Sequence, residues 1–194
     1  MRLLDVLLGR TRPVAPDLDR LFALPSAAVT LEAATGLTPA GSGAVCFATA
    51  EGAAFERIHR EVRALLDTDR DRTGPAVEPY RDGYGYSWLV SRRSPGQLPQ
   101  LVADLHAVNS SLESAGFGPL LLCSLVSFTD GAERRAALVY LYKRGTFYPF
   151  APLPGAAERR DTALELRLKA VLDGDLPVEP DLGRWFPVWG APGL

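Results

Sequence analysis

Apolar positions along the chain repeat with two periods. Residues 53–66 place Phe55, Ile58, Val62, Leu65 and Leu66 at helical spacing, with Arg57, Arg60, Glu61 and Arg63 on the outer side. The longest helical stripe covers residues 97–115, where Leu98, Leu101, Val102, Leu105, Val108 and Leu112 share one face. Asn109 falls within that face, and Gly116 is placed to stop the helix in the left-handed conformation. A third helix is predicted over residues 161–172, presenting Leu164, Leu168, Val171 and Leu172. Two short helices come first: residues 2–8, with Leu3, Leu4, Leu7 and Leu8 on one side, and a turn capped by Asp17 that buries Leu18, Leu21 and Phe22 and ends at Pro25.

A period of two marks the strands. Residues 27–33 set Val29 and Leu31 against Thr30 and Glu32, and with the following GAVCFATA they read as a hairpin across the loop GLTPAGSG. In YGYSWLVS, Tyr84, Tyr86, Trp88 and Val90 fall on one face, which needs a helix or the chain's own tail to cover it. The run PLLLCSLVSF lacks a polar side until Ser124 and Ser127, as a strand buried on both faces does. TDG at residues 129–131 then turns the chain into a second hairpin.

That partner segment, LVYLYKRGTFYPF at residues 138–150, is the densest in strand formers, rings and cations. Leu138, Tyr140 and Tyr142 alternate with Val139, Leu141 and Lys143. Lys143, Arg144 and Gly145 read as a sharp bend, after which Phe147, Tyr148, Pro149 and Phe150 return over the sheet. The ending LPVEPDLGRWFPVWGAPGL reads as extended, and its Trp185, Phe186 and Trp189 imply that it either wraps the domain, the favoured reading, or is a ligand for something else. The order hairpin, helix, strand, helix, hairpin, helix suits an α+β fold. We expect a single domain over residues 1–194, mainly an antiparallel β-sheet with helices packed on one face. We expect residues 1–16 to form a short helix and proline-containing spacer, and residues 174–194 an aromatic C-terminal tail.

Composition changes this picture mainly by exclusion. With 194 residues and 47% hydrophobic content the chain can bury one sizeable core. A formal net charge of -2 argues against nucleic acid as a partner. Two distant cysteines, Cys46 and Cys123, in apolar surroundings read as buried reduced thiols of a cytoplasmic protein. No apolar run approaches the roughly 18 residues of a membrane span, so membrane contact is at most peripheral, through Leu3, Leu4, Leu7 and Leu8 aided by Arg2, Arg10 and Arg12.

Catalytic motifs are missing: no GxxxxGK[ST] loop, no GxGxxG after a strand, no HExxH and no GxSxG occurs. His59, His106, Cys46 and Cys123 lack the paired spacing of zinc motifs, and His106, Asn109 and Cys123 make a Cys-His-Asn set only on paper. The remaining candidate is a partner or anion surface at Tyr140, Tyr142, Lys143, Arg144, Phe147 and Tyr148. In a second reading His106 joins Lys143 and Arg144 on an anionic ligand, as a sensor or enzyme. Snorkelling cations at a sheet edge explain the same residues without any ligand.

The segments LFALPSAAVTLEAATG, LVADLHAVNSSLESAGFGPLLLCSLVSF, LVYLYKRGTFYPFAPL and DLPVEPDLGRWFPVWGAPGL together resemble the PspA-associated protein PspAB family of actinobacteria and some archaea, over nearly the whole chain. The resemblance implies a non-enzymatic accessory protein of the phage-shock envelope stress response, without a cofactor. Its implied partners are the membrane-remodelling protein PspA and, by gene association, an HtpX-like membrane metalloprotease. It carries no catalytic motif to transfer, and so implies a context and not a mechanism.

Overall fold

The computed structural model describes residues 16–48, 53–66, 77–155 and 158–194. The predicted helix at residues 2–8, with Leu3, Leu4, Leu7 and Leu8, lies outside them, as does the polar run after residue 66.

Six strands form one antiparallel sheet: β1 (Thr38–Ala48), β2 (Glu78–Arg81), β3 (Tyr86–Arg92), β4 (Leu121–Thr129), β5 (Arg135–Leu141) and β6 (Thr146–Phe150), in the order β2-β3-β1-β4-β5-β6. The helices are α1 (Leu24–Thr35), α2 (Ala53–Leu66), α3 (Leu98–Leu112) and α4 (Thr162–Leu172). All four contribute to one hydrophobic cluster on one face of the sheet, through residues such as Leu31, Val62, Leu105 and Leu168. The alternation of the strands sends the other residues to the opposite face, where Ala44, Cys46, Trp88, Val90, Leu125, Val139, Tyr148 and Phe150 are roofed by Trp185 and Ala191 of the tail. The α+β fold with helices on one face and an aromatic tail is as expected, and the tail supplies the cover that the Trp88 face requires.

Residues 27–33 are not a strand. They lie inside α1, whose buried positions Leu24, Ala27, Ala28, Leu31 and Thr35 follow the helical period, while Val29 faces solvent. Two apolar residues at alternate positions fit either period, and the neighbours settle it: Pro25 sits in the first turn and Gly36, at φ 75°, ends the helix in the left-handed region. Pro25 therefore begins a helix instead of ending one. The first expected hairpin does not exist, and β1 pairs with β3 and β4 instead. Phe22, expected in the core, stands half-exposed against His106. Strand β2 carried too few apolar residues to be read, and Pro79 blunts it as an edge.

Elsewhere the periodicity predicts the elements well. Helix α3 ends near Gly116, at φ 87°, and Asn109 within its apolar face is fully buried, donating to Ser124 Oγ at 2.8 Å. The β4–β5 hairpin forms, and Asp161 caps α4 by accepting from the Leu164 amide at 2.9 Å. Chain 146–150 does not lie over the sheet but joins it as β6, paired with β5. The free edge of β6 is closed by the tail: Phe147 N donates to Pro177 O at 2.9 Å, and Glu179 N donates to Phe147 O at 2.7 Å. Two register shifts interrupt the β1–β4 pairing, one between Cys46 and Phe47 and a larger one near the start of β1. The larger lies between Pro39 and Gly43, and the bulge contains Gly41 at φ 73°, where a Cβ would come within 2.2 Å of Arg93 O.

Candidate functional site

The 138–150 hairpin was the strongest sequence candidate, and its rings are core residues. Tyr140 and Tyr142 project into the helix-side cluster with Phe147, whereas Tyr148 points to the tail side, and all four are almost fully buried. Tyr140 Oη donates to Asp17 O at 2.8 Å, which ties the first turn of the described chain to the sheet. Burial pushes its phenol up to about 12. Burial, followed by a hydrogen bond to Glu113, does the same for Tyr142, again to about 12. Tyr148 Oη donates to Phe186 O at 2.8 Å and its ring stacks with Trp185 at 6.2 Å, so it anchors the tail.

Of the two cations, Arg144 is committed internally. Its Nε donates to Glu179 Oε2 at 2.6 Å, and Thr146 Oγ1 donates to the same oxygen at 2.7 Å. Burial alone would raise the Glu179 carboxyl, but the hydrogen bonds from Arg144, Thr146 and the Asp181 amide together hold it below its ordinary value. Lys143 is exposed and has no ion-pair partner among the described residues. It borders a cavity of about 400 Å³ lined also by Pro16, Glu113, Gly116, Pro119 and Tyr142. Among the six candidate residues, Lys143 is the side chain that reaches solvent freely.

His106 is not part of that cavity. It faces Asp19 at 3.3 Å and lies against the Phe22 ring at 4.9 Å. Cys46 and Cys123 are register partners on the tail side of the sheet, whereas α3, with His106 and Asn109, packs on the other side. The imagined Cys-His-Asn set is therefore split by the sheet, as is any site combining His106 with both thiols. The His59 side chain lies outside the described residues, and among those described no group of three or more His, Cys, Asp or Glu side chains could hold a metal.

Like Glu179, three further buried carboxylates absent from the sequence candidates each lock structure. Asp104 accepts from Arg93 on both oxygens at 2.8 Å and from Ser91 Oγ at 2.7 Å. Glu165 accepts from Arg160 Nε at 2.9 Å and from the Ala151 amide at 2.8 Å, while Arg160 Nη1 donates to Trp185 O at 2.6 Å. Asp82 takes the Trp88 indole N–H at 2.8 Å and the Tyr84 and Tyr86 amides at 2.9 Å, fixing the β2–β3 turn. An acidic residue inside an otherwise apolar stripe, as Asp104 is in α3, was the available signal.

That turn carries an exposed aromatic group. Tyr80, Tyr84 and Tyr86 are 44%, 53% and 46% exposed, and the Tyr84 hydroxyl is bonded to Glu158. Tyr86 pairs with Ala48 while Tyr142 N bonds Leu122 O, so the tyrosine turn and the Lys143 turn occupy the same end of the sheet. Three strand spacings, about 14 Å, separate them.

A family model described as PspA associated protein B matches residues 1–193. No curated protein and no solved structure matches the chain. With the match running across essentially the whole sequence, the chain belongs to the PspA associated protein B family.

Proposed function

We propose that the protein is a non-enzymatic accessory of the PspA envelope stress response, acting by protein–protein contact at the inner face of the membrane. The observation that carries this reading is the match over residues 1–193 to a family named for association with PspA. The use of the buried charges supports it. Asp104, Glu165 and Glu179 are each bonded to an arginine within the fold, an arrangement that builds a stable platform. A platform of this kind recognises a partner by its surface.

The contact surface in this reading is the sheet end that carries Tyr84, Tyr86 and Lys143. Tyrosines supply large contact area at low side-chain entropy, and a neighbouring lysine adds charge steering toward an acidic partner. An HtpX-like protease belongs to the same assembly in this scheme, as a second partner. The test is an affinity pull-down from the native host with and without envelope stress. It compares wild type with Tyr84→Ser/Tyr86→Ser and with Lys143→Glu. Recovery of PspA with the wild type and its loss with these variants supports the reading, and equal recovery from all three removes this surface from it. No recovery of PspA with any of them removes the reading itself.

A further inference from the structure

The opposite end of the same sheet carries a second feature, on the tail side. Ser42 of β1 lies opposite Arg92 of β3, Ser127 of β4 donates its hydroxyl to Ser42 O at 3.0 Å, and Thr129 of β4 lies opposite Arg135 of β5. The two-residue period puts all five side chains on the face that holds Ala44, Cys46 and Val139. There the apolar pattern stops, and a polar row crosses four adjacent strands. The β1 bulge opens a hollow of about 260 Å³ lined by these five residues, with Ala40, Phe128 and Gly193. That volume holds a small ligand and is too small for a peptide strand.

Charge and hydrogen-bonding capacity select the ligand. The Arg135 guanidinium has no ion-pair or hydrogen-bond partner among the described residues. Among the described residues Arg92 has only a loose contact with Glu78, at 3.7 Å and largely in solvent. Ser127 has spent its hydrogen on a carbonyl, but the Ser42 hydroxyl is buried without a partner among the described residues, in a residue 6% exposed. An unpaired buried hydroxyl costs stability unless something answers it. Gly193, at φ +88°, lies directly above, where a Cβ would stand 2.9 Å from both serine oxygens. The hollow thus gathers Arg92, Arg135, Ser42 and Gly193 around one space.

We propose that this hollow is a binding site for a small oxyanion, a phosphate or phosphate monoester, held by Arg92 and Arg135 with Ser42 as hydroxyl donor. Guanidinium forks and a hydroxyl match a tetrahedral, doubly charged group with several acceptor oxygens. The site is independent of the PspA contact, since it lies at the other end of the sheet from Lys143.

Calorimetric titration of the full chain at physiological salt tests it, using inorganic phosphate, phosphatidic acid vesicles and phosphatidylcholine vesicles as three separate probes. Arg92→Gln and Arg135→Gln should each weaken binding about tenfold or more. The double variant should abolish it, and Lys143→Gln should leave it unchanged. Ser42→Ala should weaken it as well. Both arginines are exposed, so the variants keep the wild-type melting temperature, which is checked alongside. Arginine-dependent binding of phosphate alone identifies a soluble phosphate ester as the source. Arginine-dependent binding of phosphatidic acid but not phosphatidylcholine identifies a lipid headgroup. Failure of both phosphate probes to bind, or binding that survives the double substitution, overturns the proposal.

Discussion

Arg144 reaches from the β5–β6 turn to Glu179 in the tail, Nε to Oε2 at 2.6 Å, and this pair fastens the tail to the sheet edge that it closes. The arginine that the sequence offered as a ligand-binding cation is thus an internal fastening. Glu179 is fully buried, so its removal strands the partners it satisfies. Glu179→Ala is expected to cost about 2–4 kcal/mol in urea unfolding and to shift Trp185 fluorescence. Wild-type stability in that variant contradicts the fastening.

The same pair predicts a pH dependence. The folded Glu179 carboxyl titrates below its ordinary value of 4.5, so its contribution is fully present above that pH. It is lost as pH falls through the folded value. Trp185 donates its indole N–H to Glu179 O at 3.0 Å and so reports the tail directly. Its emission should change in acid below about pH 4.5, and Glu179→Gln should flatten that limb of the curve.

Asp104 and Arg93 form the most enclosed ion pair described, with both side chains 3% exposed. Replacing Asp104 by Asn leaves a buried guanidinium without its counter-charge. A loss of about 3–5 kcal/mol is expected in equilibrium unfolding. A loss under 1 kcal/mol would mean that the pair contributes nothing beyond packing.

Cys46 and Cys123 are register partners beneath the tail, both nearly fully buried. A hydrogen bond with Cys123, and burial, push the Cys46 thiol well above the usual thiol range. Neither thiol should react with Ellman's reagent over an hour in the folded chain, and both should react at once in guanidinium. Prompt reaction of the native protein would show that the tail opens readily.

Much of this fold was legible because it rests on long, periodic stripes. Helix α3 commits one face to the core at helical spacing, and strand β4 is a continuous apolar run buried on both faces. Residues 27–33 failed because two alternating aliphatic positions do not distinguish the periods, and the Pro25 and Gly36 boundaries carried the missing information. The candidate site was less legible. The rings of residues 140–148 predict a surface as readily as a core, and their burial depends on helices and a tail distant in sequence. Arg144 is neutralised by Glu179, 35 residues later, a pairing that no local pattern encodes. The polar row from Arg92 to Arg135 was invisible for the same reason, since it exists only once β3, β1, β4 and β5 lie side by side.

Because Arg144 is structural, a variant that reverses both cations of the turn would confuse lost docking with lost folding. Lys143→Glu alone should keep the wild-type melting temperature to within about 0.5 kcal/mol of stability, as an exposed substitution does. A larger loss would place Lys143 in the structural set with its neighbour.

In the proposed function the chain contacts PspA directly through its surface. The decisive measurement is light scattering after gel filtration of the purified chain mixed with purified PspA from the same organism, repeated with Tyr84→Ser/Tyr86→Ser and Lys143→Glu. We expect a co-eluting complex in which both components keep their intact masses, and a smaller complex fraction with each variant. Separate elution of the two proteins across micromolar concentrations would contradict the account.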